Sequence, residues 1–162
     1  MSIDVNNPYF RTKVLTASQE ELRLLLIEGA LRFARTGRDG LASKDFEKVF
    51  EGFSQARDIV SELLTGLRPD QAPEMCTNLS AIYNYIFRLL VRASLEKDLA
   101  AADEAIQRLE YERETWVMVM EKLAQERTGK NGAPAEMPNA PAPERPATYA
   151  PPKGRSPLSI SG

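Results

Sequence analysis

The segment from Leu79 to Leu95, Leu-Ser-Ala-Ile-Tyr-Asn-Tyr-Ile-Phe-Arg-Leu-Leu-Val-Arg-Ala-Ser-Leu, restricts the possible folds more than any other stretch of the chain. At helical spacing Leu79, Ile82, Ile86, Leu89 or Leu90 and Ala93 form one apolar stripe, Tyr83, Phe87 and Leu90 form a second, and Tyr85 and Val91 stand off both. A bundle helix needs one stripe. A helix that is apolar around most of its circumference must be the central one of its fold, or must be covered by something the fold does not supply. The segment lacks the period-2 alternation of a strand and exceeds the usual strand length. Asn84, Arg88 and Arg92 interrupt it, and no run of about 18 or more apolar residues occurs, so it is not a membrane span.

Three further segments have helical periodicity. Ser18-Gln19-Glu20-Glu21 is a capping box, in which the serine oxygen accepts from a first-turn N–H and Glu21 reaches back. The helix it opens carries Leu22, Leu25, Leu26, Gly29 and Phe33 on one face and Leu24, Ile27 and Leu31 on another, with Arg23, Arg32 and Arg35 read as a solvated face. Gly37 and Gly40 are expected to end it. The next starts at Ser43 or Lys44 and places Phe46, Val49, Phe50, Phe53, Ala56, Val60, Leu63, Leu64 and Leu67 on a heptad seam. Gly52 sits inside it at a cost of about 1 kcal/mol relative to alanine, which predicts a close helix contact there. Gly66 and Arg68-Pro69-Asp70 stop this helix, and the Leu79 segment is entered through Ala72-Pro73-Glu74, where proline suits the first turn. Asp98 caps the last helix, whose seam reads Leu99, Ala102, Ile106, Leu109, Arg113, Trp116, Met120 and Leu123 and ends at Thr128-Gly129. Arg113 in that seam predicts a carboxylate or carbonyl partner. Short connections make neighbouring helices antiparallel, so the predicted fold is all-α, an up-down-up-down four-helix bundle over residues 18–128.

Residues 1–17 form a leader in which Pro8 is expected to hold the chain extended, and the aromatic residues that follow, Tyr9 and Phe10, imply that it docks. Residues 129–162 hold eight of the eleven prolines and no hydrophobic period, which predicts a disordered tail. Its Pro-x-x-Pro spacings, such as Pro138 to Pro141, suit an aromatic-groove domain but also arise by chance at this proline density.

The residue inventory removes whole classes of chemistry. With no histidine and one cysteine, Cys76, there is no internal disulfide, no common zinc site, no inward Glu-x-x-His pair for di-iron chemistry and no Ser-His or Cys-His nucleophile. No Gly-x-x-x-x-Gly-Lys loop is present, and Glu110, Glu112 and Glu114 are spaced for a solvated or ion-paired face. The reading is therefore not an enzyme, with no cofactor and no metal. A net charge of −2 without clustered basic side chains argues against nucleic acid. The N-terminus has neither the basic flank nor the apolar core of a secretory signal, which places the chain in the cytoplasm without membrane insertion.

The first, third and fourth helices carry more apolar positions than a bundle interior takes up, and such surplus marks an interaction site, a bulkier core or a dimer interface. A groove between helices suits an amphipathic helix or an extended apolar peptide. Three or four anchors at about 1.5–3 kcal/mol each, less about 2–5 kcal/mol for ordering the ligand, require a long groove for tight binding.

A set of short motifs then points to a family. Asn-Pro-Tyr at 7 to 9, Thr16-Ala17-Ser18 leading to Glu21-Leu22, Glu28-Gly29-Ala30-Leu31-Arg32-Phe33, Asn78-Leu79 through Tyr83-Asn84-Tyr85 to Arg88-Leu89, and Arg113-Glu114-Thr115-Trp116 resemble the flagellar secretion chaperone FliS family over roughly residues 6 to 125. The resemblance implies a small cytoplasmic chaperone. Such a protein binds the disordered C-terminal segment of flagellin, prevents early polymerisation and presents the segment to the flagellar type III export gate. It also implies that the leader around Tyr9 caps an apolar groove and is displaced by the segment. The candidate partner-binding residues are Tyr9, Leu24, Ile27, Leu31, Tyr83, Phe87, Leu90, Val117 and Met118. The chain departs from the family pattern at Ile27, where tyrosine is common, at Pro69-Asp70-Gln71-Ala72-Pro73-Glu74, and in its proline-rich tail. The alternative is a homodimeric structural or regulatory adaptor whose extra apolar faces cover one another while the tail recruits another domain.

Overall fold

The computed structural model describes residues 6–131, with side chains over 6–129. Residues 1–5 and 132–162 lie outside the described part, so the disordered tail expected over 129–162 lies outside the described residues from 132 on, while 129–131 belong to the last helix. Among the described residues the chain is all-helical: α1 (Pro8–Thr16), α2 (Gln19–Ser43), α3 (Phe46–Thr65), α4 (Pro73–Glu96) and α5 (Leu99–Asn131). No described helix is long and apolar enough to cross a membrane.

The leader is a helix where an extended segment was expected. Asn7 caps it, its side chain accepting from the Tyr9 N–H at 3.0 Å, and Pro8 occupies the first turn, where a missing N–H costs nothing. The Thr12 and Thr16 hydroxyls donate to the carbonyls four residues back.

At the start of α2 the capping box forms in both directions, Glu21 N–H to Ser18 Oγ at 3.2 Å and Ser18 N–H to Glu21 Oε2 at 2.8 Å. The helix passes through Gly37 and Gly40 instead of stopping there, and ends at Lys44 in the left-handed conformation (φ 58°). Both glycines are buried because α3 approaches too closely for a side chain. A Cβ on Gly37 would stand 2.8 Å from the Phe53 ring, one on Gly40 2.8 Å from the Val49 nitrogen, and one on Gly52 2.4 Å from the Gly37 nitrogen. The expected close contact at Gly52 is thus the crossing of α2 and α3.

Asp45 caps α3 through the Lys48 N–H, and Val49, Gly52, Phe53, Ala56, Val60 and Leu63 face inward. Phe46 and Phe50, placed on the seam by sequence, are 55% and 65% exposed. They precede or fall between the inward positions, which step by three and four residues from Val49.

The apolar girth of α4 is taken up largely by the chain itself. Leu79, Tyr83, Ile86, Leu89, Leu90 and Ala93 are buried, Ile82 and Phe87 pack against the core from the flanks, and Tyr85 reaches out to donate to Glu104 Oε1 at 2.6 Å. Cys76 is a buried free thiol.

Asp98 begins α5 as expected, accepting from the Ala101 N–H and pairing with Arg92 at 2.8 Å; these contacts hold its carboxyl below the usual range. Inward positions are Ala101, Ala102, Ala105, Ile106, Leu109, Glu112 and Trp116. Arg113 has its carboxylate partner, Glu28 at 3.4 Å, but it lies half out in solvent, and the seam position next to it is filled by Glu112. Arg38 with Asp103, Arg35 with Glu110 and Glu28 with Arg113 step down α2 as they step up α5, so the two run antiparallel. These exposed pairs set register more than stability. The unit that holds the core closes at Leu123. From Ala124 on, α5 is helical through Gly129 to Asn131, the first following proline being Pro134.

Candidate functional site

The junction of leader and α2 forms an open apolar pocket. At Ala17 and Ser18 the backbone is extended, so α1 turns away from α2 within two residues. Between them lies a space of about 500 Å³ lined by Lys13, Thr16 and Ala17 on the leader side and by Glu21, Leu24, Leu25 and Glu28 on α2. Positions 21, 24, 25 and 28 share one face of α2, which puts Leu24 and Leu25 between two carboxylates. On α1, Phe10 and Val14 are half-buried one turn apart, whereas Tyr9 and Leu15 are 77% and 82% exposed, and no residue of the helix is fully buried. A helix of nine residues with so little burial is held weakly.

The candidate residues separate into three groups. Leu24 lines the pocket and also packs against the core. Ile27, Leu31, Tyr83 and Leu90 are fully enclosed in the core cluster, so the surplus assigned to them from sequence is consumed by the chain's own packing. Phe87 is half-buried and borders a shallow hollow on α4 with Ala81, Asn84 and Arg88. Val117 is half-buried, Met118 is 62% exposed and Tyr9 points to solvent; none of the three lines the pocket.

Sequence reasoning missed the pocket's polar rim and a second feature. Leu25 was placed on an apolar face, but only the position of α1 reveals that this face is left open. Arg23, read as solvated, and Glu112, read as part of a solvated or ion-paired face, lie instead beside Tyr83 and Trp116. Glu112 is 4% exposed, and the Arg23 guanidinium stands over the Trp116 ring at 5.2 Å. Burial pushes the Glu112 carboxyl up, opposed by the Trp116 indole N–H and the Arg23 charge, and burial likewise raises the Tyr83 hydroxyl. Nothing in the spacing of Glu110, Glu112 and Glu114 identifies which of them turns inward.

The pocket offers apolar floor and charged rim but no nucleophile with a base, and among the described residues no group of three His, Cys, Asp or Glu could hold a metal.

Residues 1–123 match the family described as "Flagellar protein FliS". Three relatives, each named "Flagellar secretion chaperone FliS", are similar to the chain. That of Bacillus subtilis is 28% identical over 131 residues, covering 79% of this chain and 97% of its own length. That of Salmonella typhimurium is 32% identical over 112 residues, covering 68% and 83%. That of Escherichia coli is 32% identical over 94 residues, covering 56% and 68%.

Proposed function

The chain belongs to the flagellar protein FliS family, and we propose that it is a non-enzymatic chaperone of flagellar export that works in the cytoplasm. It binds the disordered C-terminal segment of flagellin, prevents premature polymerisation and delivers the segment to the flagellar type III export gate. The domain plan that goes with this reading is a leader over 1–17, an up-down-up-down four-helix bundle that begins at residue 18, and a proline-rich segment that follows the end of α5 at Asn131. The antiparallel contacts of α2 with α3 and of α2 with α5 support the bundle.

The observation that carries the reading is the leader helix, which has no fully buried residue and stands over the Leu24–Leu25 pocket. A weakly held cover is what an incoming apolar segment displaces at low cost. Tyr9, Leu24, Phe87, Val117 and Met118 retain surface to offer the segment in this conformation, and Ile27, Leu31, Tyr83 and Leu90 meet it only where the interior opens. Calorimetric titration with a flagellin C-terminal peptide tests the proposal. A saturable heat with a negative heat-capacity change is expected, tighter when residues 1–16 are removed. No heat with either protein ends the reading.

One observation favours a second reading, the homodimeric adaptor: Phe46 and Phe50, one turn apart on α3, are both exposed. Sedimentation at micromolar concentration separates the two. A stable dimer without affinity for the flagellin peptide selects the adaptor.

A further inference from the structure

Inside the apolar interior, three helices contribute polar groups to one place. Arg23 comes from α2, Tyr83 from α4, and Glu112 and Trp116, one turn apart, from α5. Tyr83 is fully buried and Trp116 and Glu112 are more than nine-tenths buried. Arg23 Nη1, Tyr83 Oη and Trp116 Nε1 are shut off from solvent; they stand close enough to act on one another and on Glu112, yet none of them completes a well-formed hydrogen bond. Glu112 is not ion-paired either: the salt bridges of this region join Arg113 to Glu28 and Arg35 to Glu110. Buried donors normally find partners, and a cluster in which several do not is locally destabilising relative to an apolar core of the same volume.

The location gives this weakness a consequence. Arg23, Ile27 and Leu31 succeed one another at four-residue steps along α2, and Tyr83 and Leu90 lie two turns apart on α4. Separation of α2 from α4 and α5 at the cluster therefore uncovers the apolar side chains now enclosed. Arg23 also borders the roughly 330 Å³ hollow between the start of α2 and the end of α3, so water has a short way in.

We propose that the Arg23–Tyr83–Glu112–Trp116 cluster is a weak point built into the interior, at which α2 parts from α4 and α5 when Glu112 carries its charge. The groups that face Glu112 are Arg23 from α2, Tyr83 from α4 and Trp116 on α5 itself, and the adjoining charged pair along α5 is Arg113 with Glu28. Because burial raises the carboxyl in the folded chain, the stability that Glu112 contributes is complete at low pH. It is lost as pH rises through the folded value. Opening is thus promoted by alkali and suppressed by acid. The device does not depend on which partner the protein serves.

Unfolding by urea and amide hydrogen exchange, on the full chain and at matched pH, test the proposal with Glu112→Gln, which keeps shape and removes the charge. The ratio of the unfolding constants, natural protein over variant, is expected to grow about tenfold per unit of raised pKa as pH is taken from about 5 to about 8. Slower exchange in the variant should be confined to residues 20–31, 80–90 and 109–119. Tyr83→Phe, which removes one unpaired hydroxyl without touching the charge, should stabilise by a factor that does not vary with pH. A ratio that stays flat with pH overturns the proposal. So does a Gln variant that is less stable at every pH, since the carboxylate would then be a satisfied partner of the three donors. Exchange that slows equally in α3 overturns the claim that the opening is local.

Discussion

Gly37, Gly40 and Gly52 show how much one hydrogen in place of a methyl group decides. On an exposed helix, Gly→Ala stabilises by about 1 kcal/mol. At Gly52 the new Cβ would stand 2.4 Å from backbone that cannot move aside, so Gly52→Ala should instead destabilise by about 1–3 kcal/mol in urea unfolding. Leu90 and Ile27 carry a similar test. Both are fully enclosed, and Leu90→Ala or Ile27→Ala should each cost about 2–5 kcal/mol with no partner present. Unchanged stability would mean that these side chains serve only a partner. Arg113 was put in the seam, but the inward position is Glu112, because one residue of error rotates a helix by about 100° and apolar spacing alone does not fix rotation that finely.

The ends of the helices hold most of what can be tested one element at a time. α2 stops at Lys44, a non-glycine residue in the left-handed region whose N–H caps the Gly40 and Leu41 carbonyls. Lys44→Gly removes the Cβ strain and should raise stability by about 1 kcal/mol in chemical denaturation. Lys97 ends α4 in the same conformation, but its ammonium donates to the Ser94 carbonyl at 2.7 Å and lies over the Phe46 ring at 5.2 Å, so Lys97→Gly should gain less. α1 is a separate case. Asn7→Ala deletes its N-cap side chain and should weaken that helix by about 1 kcal/mol. Exchange should then quicken over residues 8–16 while global unfolding is unchanged, because the helix buries no residue completely. The capping box, the proline in the first turn of α4 and the Asp98 cap were legible because each acts within four residues.

For the molecule as a whole, two carboxylates bend the stability curve in opposite directions. Asp98 is held down by the Ala101 N–H and Arg92, so its contribution is present above the ordinary aspartate value and is lost as pH falls through the lowered one. Glu112, raised by burial, loses its contribution as pH rises. Stability should therefore pass through a maximum between the two. Asp98→Asn should flatten the acid side and Glu112→Gln the alkaline side, as read from urea midpoints across the range.

The chain's letters alone determined four long helices, their approximate limits and most of their inward faces, which rest on periodicity and on contacts between near neighbours, and, through a set of short motifs, the resemblance to a chaperone family. Tertiary structure decided the rest. It decided that Gly37 and Gly40 are a crossing point instead of a stop, that Ile27, Leu31, Tyr83 and Leu90 are core, and that the open apolar floor is Leu24 and Leu25 beneath a helical leader. Each of these depends on which helix stands opposite, a relation between residues far apart in the chain that spacing along one helix does not encode.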